Sequence, residues 1–163
     1  MIVTIRPMTA AEFESFRQWS AGQQAKELME AFQLSEEAAL EKAIAEISEM
    51  LPDGILTPEN YLMTIEETNS GETAGFIWTL HEEFEGRKQS FLCDFAIWEA
   101  KRRKGYAAAA LRLAETHAAQ MGCQESVLFV SDHNEAAKAL YHKSGYRVLR
   151  QKDYGKFMIK TIG

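Results

Sequence analysis

The sequence predicts an α/β fold in one domain spanning residues 1–163, and three observations carry that prediction. The run Phe91-Leu92-Cys93-Asp94-Phe95-Ala96-Ile97-Trp98 is rich in aromatic and β-favouring residues and reads as a strand. It passes through Arg102-Arg103-Lys104-Gly105 into a helix whose apolar stripe is Ala107, Leu111, Ala114, Ala118 and Met121. The pattern then repeats, with a strand at Glu125–Ser131 and a helix from Asn134 to Ser144 that Gly145 stops. The 163 residues are enough for a domain that buries about 70% of its unfolded surface.

The remaining elements follow in order. Residues 2–6 read as a short strand ended by Pro7. Thr9-Ala10-Ala11-Glu12 has capping-box form, so a helix starts there and is expected to run to about Trp19. Ser35 before Glu36 and Glu37 is a cap with an acidic first turn. That second helix is expected to bury Leu40, Ile44, Ile47 and Leu51 and to end at Pro52-Asp53-Gly54. Strands at 60–67 and 72–80 are joined through Thr68-Asn69-Ser70-Gly71 as a hairpin. A third strand covers 90–98, with a helix over 105–121 closed by Gly122, and strands at 146–150 and 156–161 complete the chain.

Charge is divided along the chain. Residues 1–100 hold 6 Lys and Arg against 19 Asp and Glu, whereas residues 101–163 hold 12 against 5. A basic cofactor side and an acidic partner side are implied, and nucleic acid is not an expected partner of a chain with net charge −6. Neither a secretory leader at Met1–Arg6 nor an apolar run of membrane-spanning length is present, so a cytoplasmic protein with no membrane contact is expected. Cys93 and Cys123 have no metal-ligand or disulfide spacing; they are expected to be free thiols, and no metal is expected.

The turn at 102–107 carries the chemistry. A strand turning through glycine into a helix leaves N–H groups without partners, and the helix dipole makes them an anion site. Three cations before Gly105 favour phosphate, although such turns also serve as plain connections. Neither a nucleotide-triphosphate loop nor a three-glycine dinucleotide site is present. Further on, Asn134, Ala137 and Tyr141 are spaced to share one helix face.

Taken together these segments resemble the GNAT superfamily of acyl-coenzyme A-dependent N-acyltransferases, over nearly the whole chain. The pattern [Q/R]-x-x-G-x-[G/A] is matched by Arg102, Gly105 and Ala107. The pattern N-x-x-A-x-x-x-Y-x-x-x-G-[FY] is matched by Asn134, Ala137, Tyr141, Gly145 and Tyr146. Leu51-Pro52-Asp53-Gly54, Asp94-Phe95 and His133-Asn134 further resemble its YycN-like bacterial branch. The resemblance implies a mixed, mostly antiparallel sheet of six to seven strands with about four helices, whose central strands splay for coenzyme A. It implies that acetyl-CoA is the co-substrate and that an amine on a small molecule or peptide is the acceptor. The implied binding residues are Phe95, Ala96, Ile97, Arg102, Arg103, Lys104, Gly105, Tyr106, Ala107, Ala108, Asn134, Ala137 and Tyr141.

Within that scheme Tyr141 protonates the departing thiolate, and a backbone N–H near Ile97 polarises the thioester. Asp94 is favoured as base or amine ligand; Glu99, His81, Asp132, His133 or water are alternatives. His117 and His142 are expected on helix surfaces. Residues 20–34 and 52–60, with Trp19, Phe32, Tyr61 and Trp78, are expected to frame the acceptor, whose charge the acidic first part makes cationic. A silent acyl-CoA sensor of the same fold and a mononucleotide-binding module are the competing functions. A monomer or homodimer is expected.

Overall fold

The structure, a computed structural model, describes all of residues 1–163. The element order is β1 (Val3–Pro7), α1 (Ala10–Phe32), α2 (Glu36–Met50), β2 (Asn60–Glu67), β3 (Thr73–Phe84), β4 (Arg87–Ile97), α3 (Tyr106–Gln120), β5 (Glu125–Ser131), α4 (Glu135–Lys143), β6 (Arg147–Lys152) and β7 (Gly155–Thr161). Short 3₁₀ turns lie at Gly54–Leu56 and Glu99–Lys101. The chain divides into two compact units, residues 1–7 with 61–163, and residues 8–60.

The larger unit holds a seven-stranded sheet in the order β1-β2-β3-β4-β5-β7-β6. The β1–β2, β3–β4, β5–β7 and β6–β7 pairs are antiparallel, and β4–β5 is parallel. The apolar core draws Ile65, Ile77, Leu92 and Leu128 from strands and Leu111, Ala114 and Tyr141 from α3 and α4. Where the sequence suggested a loop at 81–89, β3 and β4 form a continuous hairpin. Its two-residue turn is Glu85-Gly86, with φ of 52° and 78°. Positive φ at both positions matches the twist of the flanking strands. The charged run on either side of the turn hid the hairpin from the pattern.

The unit at 8–60 contains α1 and α2, which pack on one another. Both components of the capping box at Thr9 are formed, with Glu12 N donating to the Thr9 hydroxyl at 3.1 Å and Thr9 N to Glu12 Oε1 at 2.9 Å. Contrary to expectation, α1 continues past Trp19 to Phe32, so residues 20–32 are helix. Gly22 is carried inside it at modest cost, and Gln33, at φ 53°, ends it. On α2 the buried positions are Ala39, Ala43 and Ile47, while Leu40 and Ile44 are partly exposed. Ile47 and Leu51 are buried as the stripe predicts, but over the first two turns burial shifts back one position, to Ala39 and Ala43, because small alanines allow closer packing than branched side chains. No helix is long and apolar enough to cross a membrane.

Candidate functional site

The site is organised by a change of pairing in β4. From the hairpin turn, residues pair regularly with β3 until Thr79↔Leu92; the next pair is Trp78↔Asp94. Cys93 is therefore an extra residue, a β-bulge, and it re-aims everything after it. Parallel pairing with β5 stops at the same place, running only from Gln89↔Glu125 to Leu92↔Leu128. Beyond it β4 continues to Ile97 and β5 to Ser131 without facing each other as a ladder.

Alternation decides which backbone groups face the vacated edge. Trp98 N donates to Ala74 O of the β3 side at 2.8 Å, so two residues back Ala96 also turns its backbone groups towards β3. The N–H groups of Phe95 and Ile97 then point the other way. Ala96, expected among the backbone partners of the cofactor, is corrected on this ground: its carbonyl lies against Gly75. The carboxylate of Asp94 sits at the open edge, where Oδ1 accepts from Phe95 N at 2.9 Å. Arg102 folds back along the surface, its Nε donating to Ile97 O at 3.0 Å, and so ties the start of the turn to the end of the strand.

The turn itself has the form of an anion cradle. Arg103 and Gly105 are left-handed, at φ 64° and 80°, and Gly105 caps α3 with no side-chain hydrogen bond. The first intrahelical bond is Ala109 N to Gly105 O, at 3.3 Å, which leaves the N–H groups of Tyr106, Ala107 and Ala108 without helical acceptors. The expected cluster of free cations is altered. Lys104 lies 3.9 Å from Glu67, and the Tyr106 hydroxyl donates to Glu67 at 2.5 Å, leaving Arg103 as the turn's unpaired cation.

Glu67 was not among the predicted site residues, since the partners that tie it to the turn, Lys101 and Tyr106, lie 34 and 39 positions away. Hydrogen bonds from Lys101, Tyr106 and Ser70 hold its carboxyl at about 2, below the usual 4.5. A depressed carboxylate value stabilises the fold above the unfolded value and loses that contribution as pH falls through the folded one. The stability gap between wild type and Glu67→Gln is therefore expected to be constant above pH ~5 and to close between ~4.5 and ~2, read by unfolding at graded pH. A gap that closes around neutrality would contradict this.

On α4, Asn134 caps the helix, its Oδ1 accepting from Ala137 N at 3.1 Å. Tyr141 lies one turn beyond Ala137, 9% exposed and edge-to-face with Tyr146 at 5.8 Å between ring centroids. Burial, and secondarily the charge of Asp94, push its hydroxyl up to about 12. The two side chains named as catalytic are thus within electrostatic reach. Tyr146 is held differently, bonding Ser126 Oγ at 2.6 Å and donating to Glu115 at 2.9 Å, with Lys160 closing the network on Glu115.

Other candidates separate from the site. His81 lies within β3 and is only 2% exposed, its ring 4.4 Å from Tyr61 and 5.8 Å from His117. Neither of its nitrogens has a hydrogen-bond partner, and burial followed by the charges of His117 and Lys88 takes it down to about 4. A base so weak and enclosed is poorly suited to accept an amine proton. His117, expected on the surface, is half-buried against Tyr61. His133, His142 and Glu99 are exposed, and Asp132 accepts from Gln151 at 2.8 Å. Trp78 is buried and Phe32 largely exposed. Both cysteines are free; burial first, then Asp94 and Glu82, pushes the Cys93 thiol up to about 12, far from a nucleophilic thiolate.

The chain is similar to known proteins in sequence and in fold. The N-acetyltransferase YdgE of Bacillus subtilis is 34% identical over 146 residues, 90% of this chain and 92% of its own. The N-acetyltransferase YycN of the same organism is 29% identical over 90% of this chain and 94% of its own. The crystal structure of YycN matches with a TM-score of 0.81 over 93% of this chain and 98% of that one. A spermidine N-acetyltransferase of Vibrio cholerae, solved with CoA and spermine, shares the fold at a TM-score of 0.72, with 14% identity over 98% of this chain and 95% of that one. Residues 22–146 match the acetyltransferase (GNAT) family, and the chain belongs to that family.

Proposed function

We propose that residues 1–163 act as one domain that transfers the acetyl group of acetyl-CoA to a primary amine by direct attack in a ternary complex. The observation that carries this is the parting of β4 from β5 at Leu92↔Leu128, which opens a strand edge directly before the phosphate turn. Pantetheine lies along that edge and pairs with the Phe95 carbonyl as an added strand would, since the Phe95 N–H is held by Asp94 and the Ile97 carbonyl by Arg102. The amides from Arg103 to Ala108 hold the pyrophosphate, with the Arg103 side chain beside it. Asn134 and Ala137 line the α4 side.

The chemistry needs few parts. The amine nitrogen attacks the thioester carbon, the C–S bond breaks, and Tyr141 gives its proton to the sulfur. The N–H of Ile97 stabilises the oxyanion of the tetrahedral species. Asp94 takes the amine proton or holds the ammonium before it is lost. Because the amine attacks the thioester directly, no covalent enzyme intermediate forms; Asp94 then gives its proton to solvent and Tyr141 regains one from it. Cys93, with its thiol held protonated, takes no part.

The acceptor is a cationic amine of a small molecule or peptide. Residues 8–60 hold 11 acidic against 3 basic side chains, a field that concentrates cations and repels anions. The enzyme works in the cytoplasm. Thiol release from acetyl-CoA against a panel of neutral, anionic and cationic amines tests both halves. Release is expected with cationic amines, at an apparent KM that rises with salt. Activity confined to neutral or anionic amines would remove the charge argument. Tight acetyl-CoA binding with no amine-dependent release would leave the sensor as the function.

A further inference from the structure

Glu67 ends β2, outside the strand and helices that carry the proposed chemistry, yet it meets the phosphate turn from both sides. Its Oε1 accepts from Lys101 Nζ at 2.8 Å and from Ser70 Oγ at 2.7 Å; its Oε2 accepts from the Tyr106 hydroxyl at 2.5 Å. Lys104 Nζ stands 3.9 Å away, and Lys101 also reaches Glu72 at 3.3 Å. Lys101 comes just before the turn and Tyr106 is the first residue of α3 after it. Between them are the two left-handed residues, Arg103 and Gly105. A non-glycine residue in that conformation persists only where its surroundings hold it.

We propose that Glu67 is a positioning residue for the phosphate turn: by gripping Lys101 and Tyr106 it keeps the amides of residues 103–108 converged before a pyrophosphate arrives. This rests on the acetyl-CoA function proposed above. The physical alternative has the opposite sign. A carboxylate near a phosphate site repels the ligand, so if Glu67 acted through charge alone, its removal would tighten acetyl-CoA binding. If it acts by position, removal frees the turn, and binding must then order it. Tyr106→Phe separates the two effects, because it deletes one grip on the turn without changing its charge.

The test is calorimetric binding of acetyl-CoA to wild type, Glu67→Gln and Tyr106→Phe, with thiol-release kinetics on the best amine of the panel. Glu67→Gln is expected to raise Kd and KM about five- to thirtyfold and Tyr106→Phe a few-fold, with kcat within about twofold of wild type. Thermal unfolding of each variant, and Tyr106→Phe by itself should Glu67→Gln not fold, keeps the comparison decisive. Unchanged or tighter binding in Tyr106→Phe, or a matching fall in kcat with unchanged KM, would overturn the proposal. Failure of wild type to bind acetyl-CoA would instead overturn the function on which it rests.

Discussion

Replacing Tyr141 with phenylalanine is expected to lower kcat by about 10²–10⁴-fold while leaving acetyl-CoA affinity within a few-fold. The substitution removes one hydroxyl and keeps the ring that packs edge-to-face on Tyr146, so the fold should persist. Without a proton donor the leaving group departs as a bare thiolate into a buried site, where charge is costly. The pH profile supplies an independent check. Because burial and Asp94 raise the Tyr141 hydroxyl to about 12, its donor form persists through neutral and mildly alkaline pH. An alkaline fall in kcat caused by Tyr141 should thus begin only above about pH 10 in wild type and be missing from the variant. Equal kcat in the two proteins would remove Tyr141 from the mechanism.

Gly75→Ala is the largest expected structural effect. Gly75 lies opposite Ile97, and a Cβ there would fall inside contact distance of the Ala96 carbonyl oxygen and the Ile97 α-carbon. Both are backbone, so no side chain can rotate away, and β3 and β4 must separate. Overpacking of this kind costs about 1–3 kcal/mol, which lowers Tm by about 3–10 °C in a chain of this length. The displaced edge is the one assigned to pantetheine, so acetyl-CoA affinity should fall as well. Gly22→Ala is the contrast: it sits inside α1 and its Cβ meets nothing within 4 Å. There alanine should stabilise by about 0.5–1 kcal/mol. Thermal unfolding and calorimetry on both variants decide the matter, and an unchanged Tm for Gly75→Ala would show that the two strands are not in such close contact.

Features that depend on neighbours a few residues apart were readable in the chain. The Thr9 and Ser35 caps, the Gly105 entry to α3 and the Asn134 cap all depend on interactions closed within about one helical turn. The strand–turn–helix order followed from them, and with it the family. The end of α1 was misread because Ser20-Ala21-Gly22 has loop-like composition, which tertiary packing overrides. On α2 the buried face agrees with the pattern at Ile47 and Leu51 but not at Leu40 and Ile44, because periodicity marks large apolar residues, whereas contact distance selects Ala39 and Ala43.

The sequence by itself determined the local chemistry of this protein: a cationic glycine turn opening a helix, and a capped helix carrying Tyr141. Only the tertiary structure decided how those parts are used. The register of the Glu85-Gly86 hairpin makes Cys93 the extra residue, and that bulge ends β4–β5 pairing and swings Asp94 to the open edge. A bulge is a property of two strands counted against each other, and no single strand records it. Likewise Glu67 reads as an ordinary strand-end carboxylate until folding brings Lys101 and Tyr106 to it. Local sequence specifies which groups are present and how each turn closes; charge, burial and strand register act across the fold and decide which of those groups meet.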